Sequence, residues 1–201
     1  MPLQLPLPII YAITSGATTA KTIPDDPEFS NILRWIEAGV AAEIPLLQIR
    51  EKSLTARVLY ELTTRAAAIL NGSMTRLLVN DRFDIARAAG AHGVHLTSRS
   101  LPANVIRRIC DKDFLIGVST HSLEEALQAR ADGVDFVLFG PVFETESKRA
   151  YGAPQGLDKL REVTNALPGF PVMAIGGINL QNAAECLHAG ASGIAAISLF
   201  Q

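Results

Sequence analysis

The sequence is poor in the residues that would build a disulfide framework, a metal cluster or a nucleic-acid surface. It contains 2 cysteines and 4 histidines, and Cys110 and Cys186 are too isolated to suggest a disulfide scaffold or a metal site. The formal net charge of −2 provides no basic field for nucleic acid. No segment approaches the roughly 18 uncharged apolar residues of a membrane span. Aromatic residues make up only 6%, so the 48% apolar content is largely aliphatic, as in chains that alternate strands with helices.

The amino terminus does not have the pattern of a secretory signal. Residues 1–10 are apolar, but they include three prolines and no basic residue. We therefore expect a cytoplasmic α/β protein that has neither nucleic-acid nor membrane partners. A chain of 201 residues is long enough to bury a sizeable core, and we expect a single domain over residues 1–201.

Eight short apolar runs recur along the chain and are typical of buried parallel strands. Each is too short for an ordinary helix and too evenly apolar for a strand with one wet face. They are Ile9–Ser15, Leu46–Glu51, Arg76–Asp81, Gly93–Ser98, Leu115–Thr120, Phe136–Val142, Val172–Gly177 and Gly193–Ser198.

A repeated glycine turn indicates how these strands are connected. Residues 89–94, 131–134 and 189–194 each place a glycine between the end of a helical pattern and the start of a strand. Eight such units predict a (β/α)8 TIM barrel, with a doubly wound open sheet as the alternative. Only three residues follow the last run, so we expect the final outer helix to be missing. We expect a homodimer interface to cover the side left open.

The intervening segments carry helical signals. Residues 122–131 have apolar spacing of three and four, with Glu124 and Glu125 in the first turn. Pro102 is expected to open one helix, and Asn179 to cap another before Leu180.

Polar residues at the predicted strand ends are the candidates for chemistry, because barrel active sites lie at the carboxyl ends of the strands. Gln48, Arg50 and Lys52 alternate along the second strand and would share one face, where two cations and an amide suit a polyanion such as pyrophosphate. The alternative is a solvated strand end. Asn80 and Asp81 end the third strand, where Asp81 could hold Mg²⁺, or either residue could cap the next helix.

The later strands add hydroxyl and backbone donors. Ser119 ends the fifth strand and could bond a phosphate, while His121 or Ser122 could cap the next helix, a role we favour for His121. A long polar loop follows the sixth strand, and its Thr145, Ser147 and Lys148 suit anions.

The last two strands have the pattern of the recurring barrel phosphate site. Gly176 and Gly177 follow the seventh strand, and Ile197 and Ser198 follow the eighth. The alternative is that the glycines serve packing alone. One phosphate site beside a separate Arg/Lys site implies two phosphorylated substrates or one bisphosphate.

The motifs QIREK, VNDR, GVSTHS, GPVFETESK, AIGGI and GIAAIS, in this order and spacing, resemble the thiamine phosphate synthase/TenI family from Tyr11 to Ser198. The resemblance implies a (β/α)8 barrel in thiamine biosynthesis. It implies a transferase that uses Mg²⁺ to join a pyrimidine diphosphate to a thiazole phosphate with loss of pyrophosphate.

Matched by motif, the resemblance assigns roles to individual residues. Arg50, Lys52 and Lys148 would be catalytic, and Asp81 would be the first metal carboxylate. Gln48, Arg50, Lys52, Asn80, Ser119 and Lys148 would bind the pyrimidine diphosphate, and Thr145, Glu146, Ser147, Gly177, Ile197 and Ser198 the thiazole phosphate.

Two departures from the family pattern keep other functions open. Ser100 stands where synthases carry a second metal aspartate, which puts Mg²⁺ binding in question. Parts of the chain resemble the TenI branch, a thiazole phosphate tautomerase, but Pro141 replaces that branch's histidine, leaving His121 or Glu146 as the nearest acid/base candidates. The third possibility is a non-catalytic protein that binds a phosphate ligand.

Overall fold

Eight parallel strands pair in sequence order, and the first closes on the eighth to form a barrel. The computed structural model describes residues 5–145 and 153–200, and the barrel lies within these ranges. The predicted (β/α)8 fold is therefore confirmed, although most strands end one or two residues earlier than the apolar runs suggested. The strands are β1 (Ile9–Ile13), β2 (Leu46–Ile49), β3 (Arg76–Asn80), β4 (Gly93–Leu96), β5 (Leu115–Thr120), β6 (Phe136–Phe139), β7 (Val172–Ile175) and β8 (Gly193–Ala196).

Helices connect successive strands. They are α1 (Pro27–Ala41), α2 (Ala56–Ile69), α3 (Phe83–Ala88), α4 (Ala103–Ile109), α5 (Leu123–Ala131), α6 (Gly156–Ala166) and α7 (Ala183–His188). After β8 the described chain forms a 3₁₀ turn, Ser198–Phe200, rather than an α-helix. The indole N–H of Trp35 on α1 donates to the carbonyl oxygen of Phe200 at 2.6 Å, so this turn is tied to the first helix. In the described part of the chain no helix is both long and apolar enough to cross a membrane.

Strict alternation along the strands sorts their side chains into two cores. One set, including Tyr11, Leu78 and Phe136, points into the barrel and packs around its axis. The other set, including Leu77 and Val137, points outward and packs against the helices. Any polar residue at an inward position therefore faces the barrel interior.

Most of the predicted helix signals agree with the structure, but α7 begins at Ala183 rather than at Leu180. The glycine turns adopt the left-handed conformation that the repeat implies, with φ of +75° at Gly90, +82° at Gly133 and +91° at Gly190. Asn179 does not cap a helix that begins at Leu180, because its side-chain oxygen accepts from the backbone N–H of Gln181 and of Asn182 in a turn before α7. Short Asn side chains stabilise such turns as readily as helix caps, so the sequence pattern alone does not separate the two.

The closure of β1 on β8 depends on the absence of a side chain at Gly193. A Cβ atom there would lie 2.0 Å from the carbonyl oxygen of Ile9. We expect Gly193→Ala to lower the free energy of unfolding by about 3 kcal/mol. Gly72→Ala, at φ +78° in open space, is the control and should cost about 1 kcal/mol. Urea unfolding followed by the fluorescence of Trp35 measures both; equal losses would contradict the closure argument.

Candidate active site

Three predicted binding residues occupy inward positions near the carboxyl ends of their strands. Gln48 lies on β2 between the inward Leu46 and the strand end, Asn80 ends β3, and Ser119 lies on β5. Strand pairing places Asn80 opposite His95 of β4, whose neighbour on β5 is Gly117, two residues before Ser119. The barrel thus brings these side chains to one end of its interior.

Gln48 is part of the barrel interior rather than a solvated strand end. Its side chain is 1% exposed, and its Nε2 donates to the Oη of Tyr11 at 2.6 Å. Burial raises the pKa of the Tyr11 phenol well above its ordinary value, an effect that the Gln48 hydrogen bond only partly opposes. Gln48 and a neutral Tyr11 therefore form a polar layer beneath the carboxyl-end opening.

Arg50 lies half-buried just beyond the end of β2. Its backbone N–H donates to the Oγ1 of Thr14 at 2.9 Å, which ties the ends of β2 and β1 together. The guanidinium lies beside the loop that follows β1, because a Cβ built on Gly16 would be 3.8 Å from its Nη1. Lys52, two residues on, is exposed. One cation thus lies beside the loop after β1, and the other is exposed to solvent.

Glu51 is a site residue that the sequence interpretation overlooked. Its carboxylate is 3% exposed and accepts three hydrogen bonds from the loop after β1. These come from the backbone N–H of Gly16 at 3.1 Å, the backbone N–H of Thr18 at 3.2 Å and the Oγ1 of Thr18 at 2.7 Å. The carboxylate fixes the loop that borders Arg50. The only sequence signal was the Gly-Ala-Thr-Thr segment, rich in donors but weak as a motif.

His95 is the second overlooked residue. Its ring is 2% exposed inside the barrel, and its Nε2 lies 2.9 Å from the Oγ of Ser119. Burial, and secondarily the positive charge of Arg50, lowers the pKa of His95 to about 3. The ring is therefore neutral at pH 7, and Ser119 has a fixed hydrogen-bond partner.

The end of β3 does not cap the following helix. No side-chain hydrogen bond caps α3, whose N-cap position is Arg82. Asn80 is half-buried at the strand end, while Asp81 is exposed, at φ +65°. The capping interpretation of these residues is thus not supported, and the Asp81 carboxylate remains at the rim.

Ser100 is committed to its own loop. Its Oγ accepts from the backbone N–H of Thr97 at 2.8 Å and lies 3.2 Å from the Oγ1 of Thr97. Within residues 5–145 and 153–200, no cluster of three or more His, Cys, Asp or Glu side chains could hold a metal ion. A single carboxylate together with diphosphate oxygens is nevertheless a donor set that Mg²⁺ accepts. The residues present therefore fit an ion bound jointly with a ligand rather than a protein-only cage.

The loops after β6 and β7 pack closely on one another. The backbone N–H of Phe143 donates to the carbonyl oxygen of Gly176 at 3.0 Å. A Cβ on Gly177 would lie 2.7 Å from the carbonyl oxygen of Glu144. These glycines have a packing role in addition to any ligand role, and Asn182 Nδ2 donates to the carbonyl of Gly177 at 2.9 Å.

Some of the remaining predicted site residues lie at this end of the barrel, and the others lie outside the described residues. Thr145 and Ile197 are half-buried, and Ser198 is exposed at the start of the 3₁₀ turn. Glu146, Ser147 and Lys148 lie outside the described residues.

After β5, Ser122 and not His121 is the N-cap of α5: Ser122 Oγ accepts from the backbone N–H of Glu125. His121 is exposed beside Glu125, where its Nδ1 lies 3.3 Å from that carboxylate.

The fold and the gathering of these groups at the carboxyl ends of the strands define a (β/α)8-barrel enzyme. The sequence profile of the family described as "Thiamine monophosphate synthase" matches residues 17–200. The chain belongs to the thiamine monophosphate synthase family.

Individual relatives agree with this assignment. The thiamine-phosphate synthase of Methanocella arvoryzae is 43% identical over 160 residues, which cover 80% of this chain and 75% of that protein. The thiamine-phosphate synthase of Chloroflexus aurantiacus is 41% identical over 163 residues, or 81% of this chain and 74% of that protein. The solved thiamine phosphate pyrophosphorylase of Pyrococcus furiosus superposes with a TM-score of 0.76 at 34% identity, covering 94% of this chain and 85% of that one. The predicted family and the prediction of a thiamine-phosphate synthase-like transferase are confirmed.

The burial of His95 has a measurable effect on stability. Its pKa is about 3 in the folded protein but 6.5 for the free side chain, so between these values the unfolded chain binds a proton that the folded chain does not. Acidification through this window therefore favours unfolding, by about 2 kcal/mol from this group at pH 5. In urea unfolding, we expect the His95→Gln protein to lose about 2 kcal/mol less stability between pH 7 and pH 5 than the original chain.

The control for this measurement is Leu138→Ala, which removes a buried side chain of β6 without removing a titratable group. It should lower stability equally at both pH values. A His95→Gln protein that loses as much stability on acidification as the original chain would contradict the assignment of a buried, neutral ring.

Proposed function

We propose that this protein is a thiamine-phosphate synthase-type transferase of thiamine biosynthesis. It joins hydroxymethylpyrimidine diphosphate to thiazole phosphate and releases pyrophosphate. The observation that carries the proposal is the position of Arg50. Its guanidinium lies beside the loop after β1, at the end of the barrel toward which Asn80 and Ser119 point. Membership of the thiamine monophosphate synthase family suggests the reaction, and this arrangement of donors suits the negative charge of a departing diphosphate.

In the proposed reaction, the bond between the pyrimidine methylene carbon and the diphosphate oxygen breaks, and its electron pair leaves with the diphosphate. Positive charge develops on the pyrimidine carbon, and the lone pair of the thiazole nitrogen forms the new carbon–nitrogen bond. Arg50 and Lys52 would stabilise the charge on the departing diphosphate, and the Ser119 hydroxyl would donate to one of its oxygens. Lys148 and Glu146 keep the roles that the resemblance implies.

Asp81 is the residue that we propose to hold Mg²⁺, in company with the diphosphate oxygens. The bound ion would supply further positive charge against the leaving group. A non-catalytic phosphate-binding protein is the competing proposal, and the observation in its favour is that Ser100, where the resemblance implies a carboxylate, is hydrogen-bonded to Thr97. We also propose that the chain forms one domain over residues 1–201 and assembles as a homodimer. In the same proposal, the thiazole phosphate is bound by Thr145, Ser147, Gly177, Ile197 and Ser198.

The decisive experiment supplies both phosphorylated substrates with Mg²⁺ and measures thiamine phosphate and pyrophosphate. Equal amounts of the two products are expected. Arg50→Ala should lower kcat/KM for the pyrimidine diphosphate by about 100-fold, because a positively charged donor to the leaving group is lost. Arg108→Ala removes an exposed arginine near the end of α4, away from the strand ends, and is the matched control. Tight binding of thiazole phosphate with no product formation would overturn the synthase proposal.

Replacing Ser100 tests the metal part of the proposal. Ser100→Asp adds a carboxylate whose oxygen can also accept the Thr97 N–H, so we expect the Mg²⁺ concentration for half-maximal activity to fall about 10-fold. Calorimetric titration of Mg²⁺ in the presence of pyrophosphate should show the same shift without turnover. Ser98→Asp adds the same charge to an exposed position of the same loop and controls for general electrostatics. Equal shifts in the two variants would argue against a metal position at Ser100.

A further inference from the structure

The buried side chain of His95, in the barrel interior, has no role in the reaction proposed above. The His95 ring is 2% exposed, with Nε2 2.9 Å from Ser119 Oγ. Its other nitrogen, Nδ1, is buried and has no hydrogen-bond partner within residues 5–145 and 153–200. Buried polar atoms without partners are uncommon in folded proteins, so this one calls for a physical explanation.

The ring is held firmly by its surroundings. The Tyr11 ring lies edge-on with its centroid 5.9 Å away, and the Phe136 ring lies 6.1 Å away. On the side of Nδ1 the neighbour is Gly117, where an added Cβ would be only 2.8 Å from that atom. The ring therefore fills a close-fitting slot, and in the part of the chain that the structure describes its one polar side-chain contact is with Ser119.

Which nitrogen carries the proton decides what the serine can do. Burial keeps the ring neutral at pH 7, so only one nitrogen is protonated. A proton on Nδ1 would bury an unpaired N–H donor and would also oblige the Ser119 hydroxyl to donate to Nε2. A proton on Nε2 leaves only a bare lone pair at Nδ1, and unpaired buried acceptors are better tolerated than unpaired N–H groups.

We propose that His95 is a positioning residue that donates from Nε2 to Ser119 Oγ and thereby reserves the serine hydroxyl proton for an anionic ligand oxygen. The inference rests on the proposed function, in which Ser119 faces the pyrimidine diphosphate. A hydroxyl has one donor and two acceptor sites, so accepting from His95 leaves its own O–H free to point at the ligand. The orientation is set before the ligand arrives, which lowers the cost of ordering it on binding.

The tautomer is directly measurable without any substrate. Protein labelled with ¹⁵N in its imidazole rings should show, for His95, a protonated Nε2 and an unprotonated Nδ1 at pH 7. The signals are assigned by their loss in His95→Gln. A proton on Nδ1 would overturn the proposal whether or not the chain is a synthase.

A double-mutant cycle separates positioning from packing. His95→Leu removes the donor, and we expect KM for the pyrimidine diphosphate to rise about 10-fold with a smaller change in kcat. In a Ser119→Ala background the same substitution should have little further effect. His95→Gln, whose amide can donate from a similar place, should retain most of the original affinity. If His95→Leu is equally damaging with and without Ser119, the ring acts by packing alone, and the proposal is wrong.

If no synthase activity is found, the same cycle is read from calorimetric titration with inorganic pyrophosphate. Non-additivity there would support the positioning role although the proposed reaction had failed. Additive effects on pyrophosphate binding would contradict it. Thermal unfolding of each variant identifies any that is not folded, and the tautomer measurement on the unaltered chain is independent of that outcome.

Discussion

Closure of the parallel sheet is the constraint on which the rest of this structure depends. Once β1 pairs with β8, every strand has an inside and an outside, and alternation assigns each side chain to one of them. The tight approach of Gly193 to Ile9 is where that closure is most exacting. The outward set is largely apolar where the helices cover it, whereas the polar inward residues Gln48, Asn80, His95 and Ser119 lie toward the carboxyl ends of their strands. The site lies at the carboxyl end of a column of side chains whose middle is hydrophobic.

That polar layer consists of two hydrogen-bonded pairs, Gln48 with Tyr11 and His95 with Ser119. Both pairs are largely excluded from water, and the edge-on contact between the rings of Tyr11 and His95 joins them. Groups already paired and oriented in a low-dielectric interior lose little freedom when a ligand binds above them. These side chains are therefore oriented before a ligand binds, unlike flexible side chains that become ordered only on binding.

Much of this could be predicted from the sequence, because alternation and strand-end polarity are local patterns. The eight strands and the glycine turns follow from spacing along the chain, as do the inward placement of Gln48 and the positions of Asn80 and Ser119 near strand ends. The roles of Glu51 and His95 do not. Each depends on a residue at least 24 positions away, and no local pattern reports such a partner. Ser100 shows the same limit, because the family resemblance gives an expectation of a carboxylate at this position, but no local pattern indicates that the hydroxyl accepts from the backbone N–H of Thr97.

The buried carboxylate of Glu51 has a consequence for how the opening of the barrel attracts its ligand. It binds Gly16, the residue that also borders the guanidinium of Arg50, so a negative charge lies close to the principal cation. At a distance the two charges largely cancel, and solution ions screen what remains within about 8 Å at physiological ionic strength. The pair formed by Glu51 and Arg50 therefore contributes little to attraction of an anion over long distances, and Arg50 acts mainly on a ligand at contact distance.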